Sequence, residues 1–373
     1  MIRLLIRRGR IVKCYVYVVL VEGEPPEPRK PLRKVRLMLL RLATLLPLSL
    51  MLAAVILFNI LDLAGGLLAL TALYAAAVLI VPSLVPPVVS DWKIGVEGGR
   101  VAIVEIELSG KRIKSKIKAL KRAGGRLRRL LYEYLTACDF STDGSELRAI
   151  ISRLKIPAGE NSVRVRVVNL PKLLLDVAYK VGIKPLPRVR LVNVYTLNAA
   201  ALGLSPSLSS LLVTSGLIAR LTPRELAAVL AHELSHVKNR DMLILGVVSV
   251  LEYVIRAALI LHASSSYVNP TLLLAYVVTS AALLSMIAKA LEVRADALAA
   301  AALGCPLELA AALEKVSGRT SRRWELLSWL AWTSHPPVSF RVKVLRSGTF
   351  LKATTLPGAL GLVVRGFFSA LAP

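Results

Sequence analysis

The stretch Ala231-His232-Glu233-Leu234-Ser235-His236 places two histidines four residues apart, with a glutamate between them. Residues four apart share one face of a helix, so both imidazoles can bind a single zinc ion while Glu233 reaches a water molecule beside it. A helix start is indicated independently by Thr222-Pro223-Arg224-Glu225, which offers an N-cap, a first-turn proline and a glutamate three residues after the cap. The stretch therefore predicts a helical site for one Zn²⁺ per chain. Simple packing of two helical histidines is the alternative.

A third protein ligand is needed, because two imidazoles leave a catalytic zinc site incomplete. No further histidine follows His236 at short spacing, so a carboxylate is the natural candidate. Glu292 can supply it, and Asp296, one helical turn later, could accept the free N–H of a ligating histidine. Spacing alone leaves a second possibility open, in which Glu292 pairs with Lys289 or Arg294.

Four long apolar runs set the class of protein. The chain has 373 residues, 55% of them hydrophobic, and its mean hydropathy of +0.63 is above that of ordinary soluble proteins. The runs cover residues 42–61, 67–89, 243–261 and 272–288, and each is close to the roughly 20 residues that cross a bilayer core. We expect four transmembrane helices in two hairpins. The alternative is that the runs are buried core helices of a large soluble protein.

The distribution of charge predicts the orientation in the membrane. Lys and Arg number 49 against 23 Asp and Glu, which gives a formal net charge of +26. Arg256 is the only basic residue within the two hairpins, breaks included. The remaining regions are separated by an even number of crossings, so they lie on one side. Because basic segments stay inside, that side is predicted to be the cytoplasm, with the protein in the cell membrane.

Residues 111–129 contain ten basic residues and no acidic one. Apolar positions recur among them at helical spacing, which predicts an amphipathic helix. Such a helix usually lies against the headgroups of anionic lipid, which is therefore a predicted partner. The basic stretches lack the interleaved aromatic side chains that stack on bases, so no nucleic acid partner is expected.

Other local patterns give further predictions. Alternation around Cys14 predicts a strand, and residues 98–107 predict a small β-hairpin. Trp92 is expected at the water interface of the membrane. Glu252 and Arg256, four apart within the third apolar run, are expected to form an internal ion pair, although charged groups inside a membrane are also candidates for a functional role.

The order of these features resembles a known family. Two apolar runs precede an AHELSHxxNRD segment at residues 231–241, two more follow, and then come an ExxAD-like segment at residues 292–296 and a late Ser334-His335-Pro336-Pro337. This order is similar to that of the HtpX-like membrane zinc endopeptidases, which are related to the CaaX prenyl proteases. The resemblance implies zinc bound by His232, His236 and Glu292, with Glu233 as the general base and Asp296 supporting a ligand from behind.

The resemblance also implies roles outside the metal ligands. Asn198 and Ala199 correspond to the edge that holds the substrate in an extended conformation. Members usually have Phe next, where this chain has Ala200, and this difference bears on the shape of a substrate subsite. His335 is implied as a donor to the transition-state oxyanion. From the residues alone, a surface histidine is the alternative for His335.

Together these features predict a mainly α membrane protein with four transmembrane helices and a cytoplasmic α+β metalloprotease domain of the zincin (gluzincin) type. The predicted parts are a basic N-terminal segment (1–41), a transmembrane hairpin (42–90), a first protease segment with the HExxH motif (91–241), a second transmembrane hairpin (242–288) and a second protease segment with the third ligand (289–373).

The predicted function is zinc-dependent cleavage of membrane or misfolded proteins at the cytoplasmic face. A CaaX-type prenyl-peptide protease is the first alternative, although that branch implies about seven crossings where this chain offers four. A catalytically silent membrane scaffold is the second alternative. The oligomeric state is left open by the sequence.

Overall fold

The computed structural model of the protein describes residues 2–7, 10–28, 63–95, 98–109, 113–140, 144–153, 163–265, 269–317, 328–329 and 335–371. The strands are β1 (Ile2–Arg7), β2 (Arg10–Val21), β3 (Trp92–Lys93), β4 (Arg100–Ser109), β5 (Val163–Asn169), β6 (Arg188–Val192), β7 (Ala199–Leu202) and β8 (Ser210–Thr214). The helices of the first half are α1 (Leu63–Leu79), α2 (Val81–Val89), α3 (Ile113–Ala137), α4 (Gly144–Arg153), α5 (Leu170–Val181) and α6 (Ser215–Arg220). Those that follow are α7 (Pro223–Lys238), α8 (Asp241–Ser265), α9 (Pro270–Leu303), α10 (Pro306–Ser317), α11 (Val338–Arg346) and α12 (Leu356–Leu371).

The first sheet has the strand order β1-β2-β4-β5, and all its neighbours are antiparallel. The predicted strand around Cys14 is confirmed as β2. The predicted hairpin at residues 98–107 is wrong, because this segment forms the single strand β4. Its partners are β2, some 80 residues earlier, and β5, some 60 residues later, so its pairing could not be read from local alternation.

The basic helix α3 is present, but its apolar stripe meets protein and not lipid. The stripe packs in one cluster with side chains of β2 and β4. Its buried members are Ile113, Leu120, Leu127, Leu131 and Leu135. The apolar stripe is therefore not available to a bilayer, and the expected contact of this helix with anionic headgroups stays a prediction. An amphipathic pattern shows that one face of a helix contacts an apolar surface, and that surface can be a β-sheet as well as a bilayer.

Trp92 is also placed differently from its prediction. It is buried in the core, and its indole Nε1 donates to the carbonyl oxygen of Pro25 at 3.1 Å. This hydrogen bond lets a buried indole satisfy its only donor, so the side chain needs no interface with water.

The second sheet has the order β3-β6-β8-β7, with β6 parallel to β8 and β7 antiparallel to it. Strand β7 is therefore an edge strand, paired with β8 on one side only within the described chain. One large core joins this sheet to α5, α7, α9 and α10. Because α7 packs directly on α9, residues far apart in the sequence meet between these two helices.

Two helices of the described chain, at Asp241–Leu259 and Thr271–Leu303, are long and apolar enough to cross a membrane. A third candidate is the pair α1 and α2, which bends by 44° and matches the predicted run 67–89. The remaining predicted run, 42–61, lies outside the described residues. Helix α9 continues about four turns beyond the predicted end at residue 288. It carries Glu292 and Asp296 on this extension.

The predicted ion pair within α8 is confirmed. Arg256 Nη2 lies 3.0 Å from Glu252 Oε2, and Ser280 on α9 donates to the other carboxylate oxygen of Glu252 at 2.9 Å. Glu252 therefore links two apolar helices, because one of its carboxylate oxygens pairs with Arg256 on α8 and the other accepts from Ser280 on α9.

Candidate metal centre and active site

Helix α7 holds both histidines of the HExxH motif. It begins with a complete capping box, in which the Thr222 side chain accepts from the Glu225 backbone and the Glu225 side chain accepts from the Thr222 backbone. Leu226, Leu230 and Leu234 are fully buried along the helix. The predicted helix start is confirmed. The buried leucine face fixes the rotation of the helix, and this rotation sets the direction in which the histidines point.

Three side chains converge between α7 and α9. His232 Nε2 lies 3.2 Å from His236 Nε2, and the two imidazoles lie 3.5 and 3.6 Å from the carboxylate oxygens of Glu292. Zinc bonds of about 2.0–2.2 Å at tetrahedral angles would separate the ligand atoms by about 3.3–3.6 Å. These spacings fit one metal ion. Among the described residues, this is the group of histidine and carboxylate side chains that could hold a metal.

Asp296 contacts His232 at the ring nitrogen that faces away from the other candidate ligands. Its Oδ1 lies 2.9 Å from His232 Nδ1, and both of its oxygens accept from Arg341 at 2.7 Å. Burial alone would lower the pKa of His232, but the carboxylates of Asp296 and Glu292 outweigh it and raise that pKa to about 10. A carboxylate in this place holds the ring so that Nε2 points at the other ligands.

Asp241 plays the same part for the second histidine, and sequence reasoning gave it no role. Asp241 Oδ2 lies 2.8 Å from His236 Nδ1, and its other oxygen pairs with the Arg294 guanidinium. Arg240, with a φ of +54°, makes the tight turn that brings the start of α8 back beside His236. The sequence signal that could have indicated this role is the position of Asp241, an acidic residue five positions after His236 at the start of a helix.

Glu233 is set apart from the three candidate ligands and faces the second sheet. Its Oε2 accepts from the backbone N–H of Ala201 on β7 at 2.9 Å. Asn198 and Ala199 line the same cleft, which has a volume of about 550 Å³ and includes His232, His236 and Glu292 in its wall. The structure therefore brings the predicted substrate edge next to the predicted general base.

His335 lies at the rim of this cleft. Its Nδ1 is 2.8 Å from Glu292 Oε2, and its side chain is 63% exposed. Arg341 approaches the same oxygen at 3.4 Å while also pairing with Asp296. The structure thus brings His335 to the centre, and its predicted role towards an oxyanion stays a prediction.

The three candidate ligands lie within a segment of the chain that matches a known protein family. Residues 167–349 match the family described as peptidase family M48. The protease HtpX homolog 2 of Methanosarcina acetivorans is 37% identical over 151 residues, which cover 37% of this chain and 51% of that protein. The protease HtpX homolog of Persephonella marina is 35% identical over 165 residues, which cover 39% of this chain and 56% of that protein. The chain spans about half the length of these curated relatives.

Among solved structures, one match is weak. The crystal structure of S. mikatae Ste24p aligns with 62% of this chain and 65% of its own at 21% identity, with a TM-score of 0.37, a level too low to define a shared fold. The sequence matches carry the comparison: residues 167–349 of this chain match peptidase family M48, and this part of the chain is similar to the HtpX proteases.

Proposed function

We propose that this protein is a zinc-dependent endopeptidase of the cell membrane, which hydrolyses membrane or misfolded proteins at the cytoplasmic face. The observation that carries the proposal is the convergence of His232, His236 and Glu292 at ligand spacing, with Glu233 beside them in an open cleft. Two imidazoles and one carboxylate are a ligand set that catalytic zinc takes, and they leave a coordination position for water or substrate.

The chemistry follows from the positions of these groups. A zinc ion at this site would supply Lewis acidity to the attacking water and the scissile carbonyl. Glu233 would take the proton of that water and later deliver it to the leaving amine. The backbone N–H of Ala201 on β7 donates to Glu233. The base therefore lies between the candidate ligands and the strand that would bind the substrate. No covalent intermediate with the protein is required.

The edge of β7 that does not pair with β8 supports binding of an extended peptide, with the N–H of Ala201 on this edge already donating to Glu233. An edge strand exposes N–H and C=O groups to which another chain can add as a further strand. The side chains at positions 199–201 are all methyl groups, so a substrate backbone can approach closely. Across the cleft, α10 presents Leu309, Leu313 and Val316. These apolar side chains favour substrates with apolar residues near the cleaved bond.

The neighbourhood of the cleft favours substrates that emerge from the bilayer. Its wall includes Met242 and Leu245 at the start of α8, and Ala288 and Leu291 on α9. These are the two helices that are long and apolar enough to cross a membrane. At 1.5 Å per residue, Glu292 lies about 6 Å along the helix from residue 288, where the predicted span ends. A chain leaving the membrane here would meet β7 without a long path through water.

Removal of the metal tests the proposal. The purified protein should cleave casein, lose that activity after dialysis against a zinc chelator, and regain it when about one equivalent of Zn²⁺ is added back. Cleavage that persists in the chelated protein, at a zinc content below a tenth of an equivalent, would refute a metal-dependent mechanism.

The placement in the membrane predicts labelling from defined sides. In a variant without its native cysteines, single cysteines at Gly65 and Ser265 should react with a membrane-impermeant maleimide in intact cells. Cysteines at Lys116 and Lys352 should react only after the cells are opened, because the basic regions stay inside. Reaction of the Lys116 position in intact cells would contradict the proposed orientation.

The support of His236 by Asp241 gives a quantitative prediction. Asp241→Asn should weaken zinc binding about 10- to 100-fold, because the amide orients the imidazole less firmly than a carboxylate does. Competition with a chelator of known affinity measures this change. Asp176→Asn, an exposed aspartate on α5, is the matched control and should leave zinc affinity unchanged. Equal affinities in all three proteins would show that Asp241 does not position the ligand.

A further inference from the structure

Helix α3 presents one strongly basic surface to solvent, which we call the basic face. Its members are exposed and lie opposite the buried stripe of the same helix: Lys114, Lys118, Lys121, Arg122, Arg126 and Arg129. The first acidic residue of α3 is Glu133, beyond the basic face. Because the first sheet covers the apolar stripe, the helix is held firmly while its positive charge points outward.

Helix α3 lies beside chain segments that lead to the apolar runs. Arg128 of α3 donates to the carbonyl oxygen of Pro26 at 3.5 Å, and Pro25 accepts from Trp92. Trp92 follows the end of α2 by three residues, at most about 11 Å of chain. The chain after Pro26 continues towards the predicted run 42–61. The segment that leads to the run 42–61 therefore contacts the middle of α3 through Pro26, and the segment that follows α2 contacts the neighbouring Pro25.

We propose that the basic face docks on anionic phospholipid headgroups of the membrane that holds α8 and α9. The attraction between a basic surface and an anionic leaflet acts within about a Debye length, roughly 8–10 Å, so a helix next to the membrane entry points is well placed to feel it. Docking would hold the first sheet and α3 against the membrane at a fixed angle. The proposal rests on the proposed membrane placement but not on the proposed catalysis.

Nucleic acid is the other polyanion that a basic helix could bind. Two observations favour lipid. No aromatic residue lies between Lys114 and Arg129, so the basic face has nothing on which bases could stack. The hydrogen bond between Arg128 and Pro26 also places the helix beside a segment that leads to a predicted membrane span, whereas binding to nucleic acid would require no such position.

Headgroup quenching in vesicles tests the docking. The full-length protein, without its native cysteines, carries a fluorophore on Ser115→Cys, an exposed position on the side of the basic face. It is reconstituted into vesicles of phosphatidylcholine with or without about a third phosphatidylglycerol, each with a quencher on the headgroups. We expect strong quenching in the anionic vesicles only, and its loss in 0.5 M NaCl. A label on Tyr179→Cys of α5 reports the background.

Matched variants separate the basic face from overall charge. Replacing Lys114, Lys118 and Lys121 with Gln should lower the docked-to-undocked ratio about a hundredfold, roughly fivefold per lysine. The same three changes to Arg should preserve it. Replacing Lys172, Lys180 and Lys184 with Gln removes equal charge from exposed positions elsewhere and should leave quenching unchanged. Thermal unfolding of each variant checks that the fold is kept.

Several results would overturn the proposal. Equal quenching in neutral and anionic vesicles would do so, as would equal losses in the two sets of Gln variants. Binding of labelled RNA or DNA at physiological salt that requires Lys114, Lys118 and Lys121, with headgroup quenching unchanged in the same variant, would assign the basic face to nucleic acid. Because quenching needs no proteolysis, an inactive protein that still docks would separate this proposal from the proposed function.

Discussion

Glu233→Gln is expected to reduce casein cleavage by roughly 10²- to 10⁴-fold while the protein keeps about one zinc ion per chain. Glutamine retains an oxygen that can accept from the Ala201 N–H, so the local geometry should survive. It cannot take a proton from water, so the step assigned to the base is lost. Zinc analysis and cleavage rates on the same purified sample measure the two effects together.

The control for this prediction is Glu314→Gln, which changes a half-exposed glutamate on α10 whose carboxylate pairs with Arg346. It should retain both zinc and activity. If Glu233→Gln cleaved casein at a rate near that of the unchanged protein, Glu233 would not be the base. If it lost zinc as well, Glu233 would belong to the metal ligands.

Glu292→Ala is expected to lose both zinc and proteolysis. The two histidines alone leave the site one ligand short, and zinc affinity should fall by at least about a hundredfold. Arg341 keeps its paired contacts with Asp296 in this variant, so the buried guanidinium retains a partner and the fold should persist. Circular dichroism, zinc content and casein cleavage together check this expectation.

Glu314→Ala serves as the matched control for the loss of a glutamate side chain, and it should bind zinc normally. His232→Ala should behave like Glu292→Ala, because both remove a candidate ligand from the same centre. A Glu292→Ala protein with full zinc content and full activity would show that another residue completes the site.

The sequence predicted the parts of the site that depend on local rules. The helix start at Thr222 and the shared face of His232 and His236 follow from capping chemistry and the helical repeat, and both are found. Glu292 was an open choice between ligand and surface charge when judged from spacing alone. Its approach to the histidines depends on how α7 packs against α9, which is tertiary information.

The remaining differences have the same origin. Asp241 was missed because its contact with His236 depends on the left-handed conformation of Arg240, which no repeat in the sequence encodes. Strand β4 was recognised as extended, but its partners β2 and β5 are distant in the chain. The amphipathic pattern of α3 fixed which residues are covered and left open what covers them. Local patterns therefore gave elements and faces, and tertiary packing decided their partners.

X-ray absorption at the zinc edge of the purified protein, with the metal content of the same sample, tests most directly whether the site is a zinc centre of His232, His236 and Glu292. We predict one zinc per chain with nitrogen and oxygen neighbours at about 2.0–2.2 Å, of which two are imidazoles, and loss of this signal in Glu292→Ala. Sulfur neighbours at about 2.3 Å, or purified active protein without zinc, would contradict the account.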